Sequence, residues 1–305
     1  MNWIVVDEVH EYLIDYLTES QTLVYNPTIG YKELITNHST VEGIIIRSSF
    51  KIDKNLIDAL PNLRCIARYG AGMENIDKEY AISKNIMCIN AAEGNATSVA
   101  EQCLGMLLSL LHQLPKATNE VKSGVWDRQN NWGSELTNKT IAIIGFGNTG
   151  SQFYKLLQGF SIKKLIYDPY KNLDTTEQVD YPTIFEEADI VSLHIPLTPE
   201  THYLVNKEYI SKFKKNIILL NTSRGKIVDT QEIAAAIASK KIKAAALDVL
   251  EYEKLNFENL DNYPSALSYL LEQPNVMITP HIAGWSQESY YKMAEVIVKK
   301  IKNLV

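Results

Sequence analysis

The stretch IAIIGFGNTGSQFYKLL (141–157) constrains this chain more than any other. A run of apolar, largely β-branched residues enters Gly145-x-Gly147-x-x-Gly150, and a helical pattern leaves it. The first glycine suits a tight turn. The second lets a ligand approach the backbone, and the third lets helix and strand pack closely. A turn of this kind opens a helix whose unbonded N–H groups and positive dipole end attract phosphate. The next strand, KKLIYD (163–168), ends in Asp168, eighteen residues past Gly150. A carboxylate there can accept hydrogen bonds from the ribose hydroxyls of a dinucleotide. Asp168 would also repel a 2′-phosphate, which favours NAD over NADP, while Lys171 is close enough to soften that preference. Three glycines alone could mark a packing turn. The strand before, the helix after and the acid beyond select a dinucleotide site.

The rest of the chain repeats this alternation. WIVVD (3–7), TLVY (22–25), GIIIRS (43–48), RCIARYG (64–70) and NIMCIN (85–90) are short strand-like runs separated by helical patterns. A second set, more continuously apolar, comprises KTIAIIG (139–145), KKLIYD, DIVSLHIP (189–196), NIILLNTS (216–223), IKAAALDVL (242–250) and NVMITPH (275–281). Alternating strands and helices imply βαβ units and parallel sheets, and unbroken Val/Ile/Leu runs imply strands buried on both faces. Between the sets, Thr97 to Leu114 is apolar almost all round, as in a helix buried between layers or domains. The 305 residues therefore suit two α/β domains, each a doubly wound parallel sheet, with the nucleotide site in the second.

Composition narrows the classes. The chain is 46% hydrophobic and 22% charged, as in ordinary soluble proteins, and its net charge of −6 without a basic block speaks against a nucleic-acid surface. Cys65, Cys88 and Cys103 form no CxxC pair, so neither a metal site nor a disulfide framework is expected. A reducing compartment fits. The N-terminus lacks the basic start and long apolar run of a signal peptide. The longest apolar stretch carries Glu101, Gln102 and His112, too polar and too short to span a membrane. A cytoplasmic location is expected.

Three strand ends carry candidate chemistry. NIILLNTS runs into Arg224 and Gly225. Ligands of open α/β sheets bind beyond the carboxyl ends of strands, and a guanidinium there can grip a carboxylate with two parallel hydrogen bonds. The bland alternative is an arginine that pairs with a surface acid. AALDVLEYE offers Asp248, Glu251 and Glu253, and His281 follows NVMITP directly. Any one of six histidines is more often structural than catalytic. Held by a carboxylate, however, His281 would supply the base that oxidation of a hydroxy acid requires. Arg224 would then hold the acid group, and nicotinamide would accept the hydride.

The ordered motifs G-F-G-N-T-G, H-I-P-L-T-P-E-T, N-T-S-R-G-K-I-V-D, A-L-D-V-L-E-Y-E and T-P-H-I-A-G-W-S together resemble the D-isomer-specific 2-hydroxyacid dehydrogenase family. The resemblance implies a Rossmann NAD-binding domain over 95–281. It also implies a discontinuous, flavodoxin-like substrate domain formed by 1–94 and 282–305, with the C-terminal helix packed on it. In that frame Arg224 binds the substrate carboxylate, His281 is the general acid/base and Glu253 pairs with it, the D-V-L-x-x-E spacing selecting Glu253 over Glu251. Gly145, Gly147, Asn148, Thr149, Gly150, Asp168, Pro169, His194, Pro196, Thr198, Thr222, Ser223 and Gly284 would line NAD. Asp248 would hold the nicotinamide carboxamide, with Val99 and Glu101 facing the same end. The chain departs from the family in having Lys254 where a proline is usual, and in a longer segment over 254–274.

The first domain bears on the substrate. Arg47 and Ser48 stand in IIIRSS. Arg68, Gly70, Ala71 and Gly72 stand in CIARYGAGMENID, 21 residues further on. R-S followed by R-x-G-x-G-x-x-N-I-D resembles the phosphoglycerate dehydrogenase branch of the family. Two arginines beyond Arg224 suit a phosphate; the plain alternative is that both serve structural turns. The resemblance implies oxidation of 3-phosphoglycerate to 3-phosphohydroxypyruvate, the entry to serine biosynthesis. A reductase for hydroxypyruvate, glyoxylate or another 2-keto acid is the alternative. A non-enzymatic NAD-sensing protein on the same fold is a more distant one. The chain stops at Val305, so control through an appended regulatory domain is not expected. A homodimer is implied, formed through the cofactor domain by the apolar helix and the arm around Trp126 and Trp132.

Overall fold

Parallel strands need crossover connections, and here helices supply them in two separate sheets. The computed structural model describes residues 1–254 and 263–304. The chain divides into two compact units, one built from 1–96 with 284–304 and the other from 97–253 with 263–283. Part of the long 254–274 segment, residues 255–262, lies outside the described residues.

The first unit runs β1 (Asn2–Val5), α1 (Glu11–Ser20), β2 (Thr22–Tyr25), α2 (Tyr31–Asn37), β3 (Gly43–Ile46), α3 (Lys54–Ala59), β4 (Cys65–Arg68), α4 (Lys78–Ser83) and β5 (Met87–Asn90). Its strands lie in the order β2-β1-β3-β4-β5, all parallel, which is the flavodoxin-like order. Side chains alternate between faces. Ile4, Ile44, Ile46 and Ile66 pack with Leu34, Leu56, Ile57 and Ala81 on one side. Trp3, Val5, Ile45 and Ala67 pack on the other side with Leu13, Leu17, Met293, Ala294, Ile297 and Ile301. The C-terminal helix thus completes a sheet begun at the first residues.

The second unit follows with α5 (Ala96–Leu111), α6 (Leu114–Lys122), β6 (Thr140–Ile144), α7 (Asn148–Leu156), β7 (Lys163–Tyr167), α8 (Tyr181–Glu187), β8 (Ile190–Leu193) and α9 (Lys207–Lys212). It continues through β9 (Ile217–Asn221), α10 (Thr230–Ala238), β10 (Ile242–Leu247), α11 (Ser265–Glu272) and β11 (Val276–Ile278), and α12 (Gln287–Lys302) closes the chain in the first unit. The strand order is β11-β10-β9-β8-β6-β7, again all parallel. A single bridge from Gln178 to Ile166 extends the sheet beyond β7, in the place a Rossmann sheet gives its third strand. Ile141 and Ile143 face α5, whereas Ala142 and Ile144 face the opposite core.

Two expectations need adjustment. The helix from Thr97 is not buried all round. Ala100, Cys103, Met106, Leu107 and Leu110 face the sheet, but Glu101 and Gly105 are exposed and Leu104 and Leu108 are half-buried. In a single chain only one face of α5 has the sheet to cover it. The second unit also keeps Ile282 and Ala283, expected in the first, because their amides donate to Asp248 at 3.0 and 2.9 Å.

A β-carbon added at Gly43 would lie 2.3 Å from the fully buried ring of Trp3, whereas nothing lies within 4 Å of one added at Gly159. Gly43→Ala is therefore expected to cost about 1–3 kcal/mol by overpacking, and Gly159→Ala to stay within about 0.5 kcal/mol of wild type. Urea denaturation of both variants checks the pair.

Candidate active site

The glycine loop joins β6 to α7. Gly145 has φ +92, and a β-carbon on it would sit 2.5 Å from the His194 carbonyl oxygen. One on Gly150 would fall 2.0 Å from the Gly145 carbonyl oxygen, so helix and turn touch only because both residues lack side chains. Gly147 opens onto free space and stands at the N-cap of α7 with no side chain capping the helix. Side chains cap α3, α4, α8, α9 and α10. The amides of Asn148 and Thr149 thus begin a helix with room beside it for an anion, which fits a pyrophosphate. Asp168 directly follows β7 and accepts from the Phe146 amide at 2.8 Å and the Tyr170 amide at 2.9 Å, with Pro169 between. Lys171 Nζ donates to the Phe146 carbonyl at 2.6 Å, so this cation lies on the same loop.

Other residues expected along the cofactor are placed variously. Thr201 Oγ1 donates to the Pro196 carbonyl and accepts from the Thr198 amide, both at 2.7 Å, which closes a tight loop after β8. His194 turns its ring inward. Its Nε2 is 2.8 Å from Ser192 Oγ, its ring packs on Phe153, and burial pulls its pKa down to about 3, so it stays neutral. Its side chain therefore packs beneath the glycine loop, with Cβ 3.3 Å from where a β-carbon on Gly150 would lie. Thr222 and Ser223 are buried, and Ser223 Oγ donates to the Leu193 carbonyl. Gly284 belongs to the first unit, where the Asn95 side chain fills the space a β-carbon would need.

His281 and Glu253 lie beyond the carboxyl ends of the same sheet. His281 Nδ1 is 2.7 Å from Glu253 Oε2, and Glu253 Oε1 accepts from the Leu250 amide at 2.5 Å. Glu251 points elsewhere. It accepts from the Thr230 amide at 2.9 Å and the Tyr203 hydroxyl at 2.5 Å. The two glutamates of E-Y-E thus do different things, one holding His281 and one holding the start of α10. Arg224 leaves β9 on a turn shaped by Asn221, whose Nδ2 donates to the Arg224 carbonyl at 3.0 Å and whose Oδ1 accepts from the Ser223 amide at 3.1 Å. Gly225 permits that turn, because its β-carbon would fall 2.0 Å from the Leu250 carbonyl carbon.

Asp248 was expected on the nicotinamide. In the structure it is 1% exposed, and its Oδ1 accepts from Gln102 Nε2 at 2.9 Å, Thr279 Oγ1 at 2.5 Å and the Ile282 amide at 3.0 Å. Burial pushes its pKa up, against the pull of these donors. The carboxylate therefore clamps the turn that carries His281, a residue in the left-handed region at φ 53. Sequence reasoning missed Asn221, Gln102 and Thr279. A polar side chain ending an otherwise apolar strand was the available signal for Asn221, and pairing across 146 residues leaves none for Gln102.

In the first unit Arg47 and Ser48 follow β3, and their amides donate to Asp7 Oδ2 at 2.6 and 3.1 Å. Arg68 is buried, with Nη1 on the Tyr69 carbonyl at 2.8 Å and Gly70 pressed against its guanidinium. The Ala71 carbonyl accepts from Asn90 Nδ2 at 2.6 Å, which fixes the loop that leads to Gly72. Among the described residues no group of three His, Cys, Asp or Glu is placed to hold a metal, and no helix is long and apolar enough to cross a membrane.

Residues 104–283 match the family described as D-isomer specific 2-hydroxyacid dehydrogenase, NAD binding domain. A hydroxypyruvate reductase of Thermotoga maritima is 37% identical over 88% of this chain and 86% of its own length. A D-3-phosphoglycerate dehydrogenase of Archaeoglobus fulgidus is 34% identical over 100% of this chain and 57% of its own, so the chain spans little more than half the length of that relative. A D-lactate dehydrogenase from Aquifex aeolicus, solved with NAD and lactic acid, superimposes with a TM-score of 0.84 at 28% identity, covering 99% of this chain and 95% of that one. The chain belongs to the D-isomer-specific 2-hydroxyacid dehydrogenases. Its second unit is the NAD-binding domain of that family.

Glu251 sets a pH dependence. Burial raises its pKa, but hydrogen bonds from Thr230 and Tyr203 outweigh this and hold it below the ordinary 4.5. A carboxyl lowered by folding adds stability above 4.5 and loses it as pH falls through the folded value. Glu251→Gln should cost about 1–2 kcal/mol at neutral pH, and the gap to wild type should close on acidification. Urea titrations at pH 7 and pH 4 measure both.

Proposed function

We propose that the protein is an NAD-dependent D-2-hydroxyacid dehydrogenase whose substrate is 3-phosphoglycerate, oxidised to 3-phosphohydroxypyruvate. The observation that carries the reading is the 2.7 Å contact of His281 Nδ1 with Glu253 Oε2, beyond the strand ends of a sheet whose glycine loop opens onto an uncapped helix. NAD, when bound, accepts the hydride from C2. His281 takes the proton of the C2 hydroxyl on Nε2, because Glu253 holds Nδ1, and the carboxylate stabilises the resulting imidazolium. Arg224 holds the substrate carboxylate with paired hydrogen bonds. In reduction the proton moves back from His281 to the C2 oxygen.

The choice of phosphoglycerate rests on two arginines at neighbouring strand ends of the first unit, Arg47 after β3 and Arg68 closing β4. Relatives named as phosphoglycerate dehydrogenase support it. Relatives named as hydroxypyruvate and glyoxylate reductases keep a smaller keto acid as the second reading. The test is NADH consumption with 3-phosphohydroxypyruvate, hydroxypyruvate, glyoxylate, pyruvate and 2-oxoglutarate in parallel. The expected result is a kcat/KM at least about tenfold higher for the phosphorylated acid, a difference of ~1.4 kcal/mol. Preference for an unphosphorylated acid would discard that substrate and keep the mechanism. Glu253→Gln should lower kcat by about a hundredfold, within the range for acid–base groups. No turnover of any acid by wild type would point to an NAD-sensing binding role.

We also propose a homodimer formed by the second unit. Trp126 and Trp132 are 80% and 78% exposed, and Val121 and Val125 are about half exposed beside them. Such a patch on one chain is costly in water. Sedimentation at micromolar concentration should give the dimer mass, and Trp126→Asp with Trp132→Asp should give the monomer.

A further inference from the structure

Arg47 is tied down at its backbone and bare at its head. Its amide donates to Asp7 Oδ2 at 2.6 Å, and its carbonyl accepts from Asn75 Nδ2 at 3.4 Å. Among the described residues its guanidinium makes no ion pair and no hydrogen bond. The head instead lies over the Trp285 ring, with Cζ 4.2 Å from the centroid. Trp285 is 66% exposed, stands just before the Ser286 cap of α12, and belongs to the same unit. A large aromatic left mostly in water is an uneconomical way to stabilise a surface. It is an effective way to restrain a guanidinium, since a cation held over the indole face keeps N–H groups available for an acceptor.

The location gives that edge a purpose. In the order β2-β1-β3-β4-β5 the chain reverses direction across the sheet between β1 and β3. Crevices at such a switch point, outside the carboxyl ends of the strands, hold ligands. Asp7 follows β1 and Arg47 follows β3, so the pinned turn is this unit's switch point. The Asp7 carboxylate already takes the amides of Arg47, Ser48 and Ser49, which leaves the guanidinium to face an anion.

We propose that Trp285 is a positioning residue for anion recognition by the first unit: by stacking on Arg47 it aims the guanidinium N–H groups at an anionic group of the substrate. This deepens the phosphoglycerate reading and rests on it for the identity of that group as a phosphate.

The test uses the whole protein with Trp285→Ala, Trp285→Phe, Arg47→Ala and the double variant. With 3-phosphohydroxypyruvate, Trp285→Ala should raise KM about tenfold and leave kcat within about twofold, while KM for glyoxylate stays within about twofold. Trp285→Phe should recover most of the loss, and the double variant should be no worse than Arg47→Ala. Inorganic phosphate, assayed as a competitive inhibitor against whichever keto acid is turned over, should bind about tenfold more weakly to Trp285→Ala than to wild type. Equal inhibition of both proteins, no inhibition of wild type, or effects of the two single variants that multiply would each overturn the proposal. Preference of wild type for an unphosphorylated acid would overturn the substrate reading alone, and phosphate inhibition would still decide the role of Trp285.

Discussion

The buried carboxylate of Asp248 is the contact on which the placement of His281 depends. Its amide donates to the Asn221 carbonyl at 2.9 Å, and its own carbonyl accepts from the His281 amide at 2.8 Å. Its side chain gathers Gln102 from α5, Thr279, and the amides of Ile282 and Ala283. One residue thereby joins the end of β9, the helix over the sheet and the turn after β11. An ionised group this deep is costly unless each oxygen is met by donors. That requirement fixes the turn.

The turn needs fixing because His281 is strained. A residue with a β-carbon at φ 53 costs about 1–2 kcal/mol relative to the right-handed region. The surrounding hydrogen bonds hold it there, and the reward is an imidazole aimed back to Glu253. Asn221 performs a matching service for Arg224, using both ends of its amide to shape the preceding turn. Gly225 then lets that turn close on the Leu250–Glu251 backbone. The arginine, the glutamates and the histidine are on separate loops, and these buried contacts hold the loops in register.

Much of this architecture was legible in the chain. The strand runs, their parallel arrangement and the glycine turn follow from local pattern, because a buried strand must be continuously apolar and only glycine tolerates a carbonyl 2.0 Å from its missing β-carbon. Arg224 and His281 could be singled out because each follows a strand that the pattern marks, and Glu253 because the family resemblance selects it over Glu251. The exposure of one face of α5 was not legible. Its sequence is apolar on nearly every side, and only the position of the sheet decides which side is covered. The inward turn of His194 was not legible for a similar reason: its place after β8 is local, but the partners Ser192 and Phe153 that draw the ring inward are set by the fold.

The sequence by itself determined which segments are strands, where the glycine turn lies and which residue types end the strands. Those properties depend on neighbours within a few positions, through side-chain alternation and the conformational freedom of glycine. Only the tertiary structure decided what Glu251 holds, the clamp made by Asp248, and the stacking of Arg47 on Trp285. Each of these depends on a partner distant in the chain, from 21 residues between Thr230 and Glu251 to 238 between Arg47 and Trp285. Hydrogen bonds and ring contacts act over a few ångströms in space, and nothing in the local pattern records which distant segment the fold will bring that close.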